Sequence, residues 1–238
     1  MADQRDTCGP DPALYPDIVQ AGSLRAVLQA QFDAAGLAVR AQHLSSPGWR
    51  HTAAEVRSAE RNADVVMGLR ERAFCLQFWT RGVVMARGTT DELSAVTGSM
   101  HGWQSGMRVG ELTSAWPFLS ANGFAEAFER GDAEAIDHRW RRYHDNSPPA
   151  SHLTRLHPFI ALAFHQPRLR ALLPYTSHWT LRFSRTVGHP YSRELPSVHP
   201  LADGRYRVIT TDGHELGTAD AAGCVALVLT ALGEERSR

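Results

Sequence analysis

The sequence predicts an α+β protein with two related halves, each a small antiparallel β-sheet backed by helices, and a helical segment between them. Residues 74–87 alternate apolar and polar side chains on both sides of an Arg-Gly turn, which is the pattern of a β-hairpin. Residues 206–216 repeat this pattern around an Asp-Gly turn. Both hairpins lead into Gly-Thr-x-Asp and then into a helical pattern, so we expect two halves of one design.

The expected boundaries follow from composition. Residues 1–20 are rich in Pro, Asp and Gly and are expected to form an irregular leader. The N-terminal α+β half then covers residues 21–130, a helical connector covers 131–172, and the C-terminal α+β half covers 173–238. Together they are expected to form one compact unit.

The helices of the first half have recognisable starts. Ser23 is a typical N-cap for a helix over residues 24–35, whose leucines and phenylalanine fall on one face. Thr89 and Glu92 have the spacing of a capping box, which predicts a helix that begins directly after Thr89 and continues through Leu93 to Trp103. The apolar face of each helix is expected to belong to the core.

The connector and the second half are predicted in the same way. Asp132 is a typical helix cap, and residues 146–151 have the composition of a linker. Pro158 and Pro167 favour the first turns of two short helices, because proline is tolerated there. Residues 179–183 alternate as a β-strand.

All 25 basic residues are arginine, and the chain has no lysine. This excludes chemistry that needs a lysine amine, such as Schiff bases, pyridoxal phosphate and P-loop phosphate binding. The three cysteines are far apart, which predicts neither a disulfide framework nor a structural zinc site. Gly-x-Ser-x-Gly is absent, so no serine nucleophile is recognisable. Gly-x-Gly-x-x-Gly, the nucleotide-binding turn, is also absent, and no cofactor is expected.

Charge and hydropathy restrict the partners. The formal net charge is zero, and no basic stripe interleaved with aromatic residues suggests nucleic acid. The longest apolar run, residues 225–232, is far shorter than the roughly 20 residues of a membrane span. We therefore expect a cytoplasmic protein with no nucleic-acid or membrane partner.

Basic residues concentrate between residues 139 and 185, where eight arginines and five histidines accompany one acid, Asp145. Folded into a concave surface, this segment could hold a phosphate, a phosphopantetheine arm or an acidic carrier protein. His165 lies in it and is a candidate substrate contact. The alternative is a solvated helix face whose acidic partners come from the N-terminal half.

The 12 histidines raise the question of a metal. No two are four residues apart, and His-Glu-x-x-His is absent, so no metal site is predicted. His152, His157 and His165 could meet only through tertiary folding. Axial ligation of haem by a histidine stays open as an alternative.

The first candidate site combines His101, Glu111, Trp103 and Trp116 in a stretch interrupted by glycines. An imidazole titrates near neutral pH, and a carboxylate beside indoles can have a raised pKa. His101 and Glu111 are therefore predicted as catalytic acid and base, in either order, with the two indoles as substrate-binding walls. The alternative is that both tryptophans belong to the core.

A second candidate site consists of residues in and just before the strand predicted at residues 179–183. Tyr175 and His178 precede this strand, and Arg182 lies on its polar face, where it could clamp an oxyanion or carboxylate. Tyr175 is predicted to bind substrate, and His178 and Arg182 to take part in catalysis. A strand with one solvated face would show the same alternation without any function.

Several stretches carry a family resemblance. They are Pro167–Ser177, Leu181–Arg185, Gly188–Tyr191, Gly204–Val208, Leu216–Asp220, Val225–Leu229, Gly88–Trp103 and Val109–Phe118. The chain resembles an actinobacterial family of unassigned function, often described as natural-product biosynthesis proteins. The resemblance rests on packing and turn residues, and it implies an accessory protein of polyketide or peptide gene clusters in a Streptomyces-like organism.

In that setting the sequence predicts a cofactor-independent cyclase or lyase acting on a natural-product intermediate. A base would remove a proton beside a carbonyl, an acid would assist loss of hydroxyl, and a nucleophile would add to the conjugated product. One alternative is a non-catalytic binding or immunity-type protein that holds an acidic partner. Another is a haem- or metal-dependent tailoring enzyme.

Overall fold

The computed structural model describes residues 9–44, 51–145 and 153–234. Its fold is α+β with two antiparallel sheets, which confirms the predicted class. The chain divides into two compact units, Met1–Glu129 and Arg130–Arg238. The predicted linker at 146–151 and His152 lie outside the described residues. Within those residues, no helix combines the length and apolarity needed to cross a membrane.

The first unit contains a six-stranded sheet in which each strand pairs with the next along the chain. Its strands are β1 (Ala41–Gln42), β2 (Ala53–Arg57), β3 (Arg61–Met67), β4 (Phe74–Thr80), β5 (Val83–Thr90) and β6 (Leu119–Ser120). Its helices are α1 (Pro16–Ala21), α2 (Leu24–Ala34), α3 (Leu93–Gln104), α4 (Val109–Ala115) and α5 (Gly123–Arg130).

Alternation along β4 separates the two faces of this sheet. Phe74, Leu76 and Phe78 are buried, whereas Cys75 and Gln77 are exposed. Helix α3 packs on the apolar face, where the indole of its last turn meets the Phe78 ring edge to face at 6.0 Å. The opposite face is left polar and accessible along β4 and β5.

The second unit contains five strands, which also pair in chain order. They are β7 (Leu173–Ser177), β8 (Thr180–Ser184), β9 (Ser197–Pro200), β10 (Tyr206–Ile209) and β11 (Glu215–Ala219). The helices are α6 (Asp132–Asp145), α7 (His157–Phe164), α8 (Pro167–Arg170) and α9 (Ala221–Glu234). In both units the Gly-Thr-x-Asp sequence carries the chain from a strand to a helix, at β5 to α3 and at β11 to α9.

The segment predicted as a connector supplies part of the second core. Trp140 of α6 is fully buried, donates its indole N–H to the Leu172 carbonyl at 2.9 Å, and stacks on Phe183 of β8. Phe159 of α7 lies against Tyr206 of β10. These helices are apolar on the side that faces the sheet, and they fall within the second compact unit.

Local expectations met different outcomes. The Ser23 cap is confirmed, since its hydroxyl accepts the Ala26 N–H at 3.2 Å. The capping box of Thr89 and Glu92 is wrong, because α3 starts at Leu93 with no side-chain cap. Thr89 instead extends β5, where it pairs with Cys75, so its hydroxyl is unavailable to the helix.

Part of the predicted leader is ordered as helix α1. Its first residue is Pro16, which suits the first turn of a helix. The preceding Tyr15 is buried, and its hydroxyl accepts the Ala73 N–H at 2.9 Å. Together with buried Ile18, this tyrosine fixes α1 to the first unit, a contact that composition alone does not reveal.

Candidate functional site

A row of polar side chains crosses the uncovered face of the first sheet. The register pairs Glu55 of β2 with Asp64 of β3, Asp64 with Gln77 of β4, and Gln77 with Arg87 of β5. Directly opposed residues on antiparallel strands have Cβ atoms about 4.5–5.5 Å apart, so each side chain is within reach of the next. The row therefore combines two carboxyl groups, an amide and a guanidinium.

An open cavity of about 470 Å³ lies over this row. Its polar lining consists of Asp64, Cys75, Gln77, Arg87, Thr89 and Ser120. Leu44 and Val66 add apolar contacts. A cavity of this volume with a few convergent polar groups is suited to a small organic molecule.

The two carboxyl groups of the row differ in environment. Glu55 is only 2% exposed, and its Oε2 lies 2.8 Å from Nη2 of Arg57. Burial, followed by the neighbouring Glu55 charge, raises the pKa of Asp64, and the Trp79 indole partly opposes this effect. Asp64 is therefore the carboxyl group that faces the cavity and keeps its proton to higher pH than usual.

The second sheet also has a polar face, opposite its helix-covered core. The register pairs Tyr175 of β7 with Arg182 of β8, and His199 of β9 with Arg207 of β10. His199 lies between two hydroxyls, with Nδ1 at 3.2 Å from Thr180 Oγ1 and Nε2 at 3.0 Å from a serine hydroxyl of its own strand. This face carries arginine where the first sheet carries acid.

The segment 185–196 folds over part of this face. Ser184 holds this segment with two hydrogen bonds. Its hydroxyl donates to the Thr186 carbonyl at 2.7 Å and accepts the Ser192 N–H at 3.0 Å. The Tyr191 ring then stacks on Tyr175 with centroids 4.5 Å apart. A cavity of about 270 Å³ remains, lined by Tyr175, Ser177, Arg182, His189, Tyr191 and Arg193.

This second cavity is lined by hydrogen-bond donors and by no carboxylate. The Nε of Arg182 is buried and has no hydrogen-bond partner within the described part of the chain. Burial, followed by the charges of Arg182 and Arg207, lowers the pKa of His199. His199 is therefore neutral near pH 7, and the positive charge beside the cavity comes from arginine.

His101 and Glu111 each contact a neighbouring residue of their own part of the chain. His101 is half-buried in the last turn of α3, with ring nitrogens 3.4 and 3.5 Å from the Ser105 hydroxyl. Glu111 is exposed, and its carboxylate accepts the Arg108 N–H at 2.9 Å at the start of α4. Neither residue lines the cavity on the first sheet. Their predicted catalytic roles stay predictions.

Trp103 and Trp116, predicted as pocket walls, are engaged in packing. Trp103 is 1% exposed, donates its indole N–H to the Asn62 carbonyl at 3.1 Å and lies under the Arg61 guanidinium. The Trp116 indole is half-buried against Gly102 of α3, where an added Cβ would come within 2.8 Å of the ring. The core alternative therefore describes the surroundings of Trp103.

The remaining predicted residues divide between the cavity and the surface. Tyr175 and Arg182 both line the second cavity. His178 is exposed in the turn between β7 and β8, with φ of +49°, and its Nδ1 is 3.1 Å from the Ser177 hydroxyl. His165 is exposed at the end of α7, edge to face with Phe164.

The predicted basic segment is partly neutralised by acids of its own unit. Arg141 and Arg170 both pair with Asp137, and Arg185 pairs with Glu194. The alternative that placed these acidic partners in the N-terminal half is therefore wrong for these three arginines. Within the described residues, no group of three or more histidines, cysteines or acids is arranged to hold a metal ion.

Sequence reasoning misses Glu55 and several residues that line the two cavities. Glu55 and Asp64 meet only through the pairing of β2 with β3, and β3 is not among the predicted strands, although alternate apolar residues at 61–67 are a strand signal. His189, Tyr191 and Arg193 come from an irregular segment with no periodicity. Only the fold of that segment brings them to Arg182.

A family model matches part of the chain. Residues 134–236 match the model of a family of unknown function, DUF6193. The matched region lies inside the second unit and contains the whole lining of its cavity. No curated protein and no solved structure matches the chain.

Proposed function

We propose that the protein is a cofactor-independent lyase or cyclase whose reaction takes place in the cavity of the first unit. The observation that carries this proposal is the position of Asp64, which lines the cavity beside the ion-paired Glu55. A carboxyl group whose surroundings raise its pKa, as at Asp64, is typical of acid and base catalysis. The natural-product setting belongs to the same proposal and comes from the family resemblance.

Asp64 has the properties of a proton-transfer group. Its carboxylate would remove a proton from the carbon beside a carbonyl and deliver the same proton to a hydroxyl on the next carbon. A carbon–carbon double bond forms, the hydroxyl leaves as water, and Asp64 returns to the carboxylate. Because its pKa is raised, Asp64 is a stronger base than an ordinary aspartate, and such transfers contribute about 10²–10⁴-fold to rate.

Gln77 and Arg87 would hold the carbonyl oxygen. Both side chains are exposed to the cavity, and the Arg87 guanidinium has no ion-pair partner among the described residues. Donors aimed at an oxygen that gains negative charge stabilise the transition state most effectively. Glu55 is a positioning residue, since it is buried and acts on Asp64 through its charge.

The substrate class that fits this chemistry is a β-hydroxy carbonyl compound. After water leaves, a nucleophilic group of the same molecule can add to the conjugated double bond and close a ring, and its proton passes to the carbon beside the carbonyl. The cavity volume allows one segment of a flexible intermediate to be held in a folded form. A polyketide or peptide intermediate, free or on an acidic carrier protein, meets this description.

Metabolite comparison tests this proposal even though the substrate is unidentified. A strain that lacks the gene is complemented with the wild type, with Asp64→Asn, or with Glu126→Gln as a control that changes an exposed acid of α5. We expect the deletion and Asp64→Asn to accumulate the same hydroxylated or uncyclised precursor, whereas Glu126→Gln restores the product. Full restoration by Asp64→Asn would overturn the proposal.

Two further variants separate this site from the pair predicted from sequence. His101→Ala and Glu111→Ala leave the cavity lining intact, so both should restore the product. If they accumulate precursor while Asp64→Asn does not, the reaction belongs to the stretch of α3 and α4 instead. Thermal unfolding of each purified variant shows whether a loss of product reflects a loss of fold.

A further inference from the structure

We infer that the cavity of the second unit binds the phosphate group of a small organic phosphate ester. The cavity lies under the segment 185–196 and is lined by two arginines, two tyrosines, a histidine and a serine. It belongs to the unit that does not contain Asp64, so this inference does not depend on the proposed catalysis.

The state of the arginines points to an anion. Four of the other arginines of this unit have acidic partners: Arg170 pairs with Asp137, Arg185 with Glu194, Arg205 with Asp203 and Arg207 with Glu215. Arg182 and Arg193 differ from these four. No ion pair joins either to an acid of the described residues, and both line the cavity.

Arg182 carries an unsatisfied donor in this position. Its Nε has lost water without gaining a partner in the described part of the chain. An unsatisfied buried donor costs about 1–3 kcal/mol, and more when the group is charged. An anion that reaches the guanidinium would offset this cost with a charge-assisted hydrogen bond.

The number and type of donors favour phosphate over carboxylate. Ser177, Tyr175, Tyr191 and the imidazole of His189 add donors to those of the two guanidiniums. A phosphate monoester has three free oxygens and a charge of about −1.5 to −2 at pH 7, whereas a carboxylate has two oxygens and one charge. No acid in the lining opposes the second negative charge.

The aromatic pair suits the organic part of such an ester. The Tyr175 and Tyr191 rings are stacked, with centroids 4.5 Å apart and an interplanar angle of 28°. They contact each other, so a ligand has no space between them. A ligand would pack on the outer surface of the pair, beside the edge of His189. An aromatic phosphate is expected to bind more tightly than inorganic phosphate.

Titration calorimetry of the full chain tests the inference with four probes at constant ionic strength: inorganic phosphate, phenyl phosphate, benzoate and chloride. We expect saturable binding of phenyl phosphate, weaker binding of phosphate, still weaker binding of benzoate, and none of chloride. Arg182→Gln and Arg193→Gln should each weaken phenyl phosphate binding about tenfold or more, the loss expected for one charge-assisted hydrogen bond.

The matched control is Arg205→Gln. This arginine is exposed in the same unit, is paired with Asp203 and lies outside the cavity lining, so its removal should leave binding unchanged. If all three arginine variants lose phenyl phosphate binding equally, the loss reflects only the lower net positive charge of the protein, and the proposed site is wrong. Benzoate binding as tight as phenyl phosphate would overturn the phosphate assignment.

Folding of the variants is controlled separately. Arg193 is exposed, so Arg193→Gln keeps the inference testable even if Arg182→Gln unfolds. Absence of saturable binding by any phosphate probe to the folded wild type contradicts the inference outright. Asp64→Asn should bind phenyl phosphate normally, which separates a failure of this site from a failure of the proposed catalysis.

Discussion

The two units share a plan, but the polar faces of their two sheets carry different charged groups. Each has an antiparallel meander that leads through Gly-Thr-x-Asp into a helix. The first sheet places Glu55 beside Asp64, whereas the second places Arg182 and Arg207 around His199. The covered faces are apolar in both. The apolar faces therefore form the two cores, and we propose that the polar faces carry the functional difference.

The largest difference is expected between the two faces of one strand. Phe78→Ala removes a fully buried ring from β4 and should lower the free energy of unfolding by about 3–5 kcal/mol. Gln77→Ala changes the residue before it, which is exposed on the opposite face of the sheet. This variant should change the free energy of unfolding by no more than about 0.5 kcal/mol. Urea unfolding followed by tryptophan fluorescence checks both. Similar losses in the two variants would contradict the assignment of faces.

The repeated glycine of Gly-Thr-x-Asp provides the next comparison. At Gly88 a Cβ would lie 2.2 Å from the Phe118 carbonyl oxygen, because β6 pairs there, so Gly88→Ala should cost about 3 kcal/mol. At Gly217 the nearest atom is a mobile leucine methyl, but φ is +155°, so Gly217→Ala should cost about 1–2 kcal/mol. Gly110→Ala is the control, since nothing lies near its Cβ position. Denaturation midpoints in the reverse order would contradict this comparison.

Asp64→Asn should stabilise the first unit by about 0.5–1 kcal/mol at pH 7, because it removes a charge opposite Glu55. A carboxyl group whose folded-state pKa is raised destabilises the fold only where it is ionised. The gain should therefore be complete above the folded-state pKa and should vanish as the pH falls below 3.8, the ordinary value. Urea unfolding at several pH values measures it. A gain that does not depend on pH would point to packing instead.

The smallest effect is expected at His199, where the sign is opposite. Its folded-state pKa is lowered, so the neutral ring contributes stability above the ordinary value of 6.5, and this contribution is lost as the pH falls through the folded-state pKa. His199→Asn should flatten the pH dependence of stability in that window. Thermal unfolding between pH 5 and pH 7.5 provides the measurement. An unchanged slope would show that burial and the charges of Arg182 and Arg207 do not lower the pKa of His199.

Local patterns predict much of the fold. The hairpin of β4 and β5 follows from strict alternation and a glycine turn, and α2 follows from an apolar face with a serine cap. The capping box at Thr89 fails because pairing with Cys75 prolongs the strand. Tertiary pairing therefore overrides a local helix signal.

The sequence predicts candidate-site residues only where they lie close together along the chain. Tyr175 and Arg182 lie on adjacent strands joined by a short turn, and the alternation of residue types alone assigns them to one candidate site. The neighbourhood of Glu55 and Asp64 depends on the register of a hairpin with one unrecognised strand. A one-residue change of register would move either side chain to the other face.

Carbon-13 NMR titration of the side-chain carboxyl groups tests the central claim most directly. We predict that the pKa of Asp64 lies above 3.8 in the wild type and moves toward that value in Glu55→Gln, where burial is left as the cause that raises it. A pKa of Asp64 at or below 3.8, or one that Glu55→Gln does not change, would contradict the account.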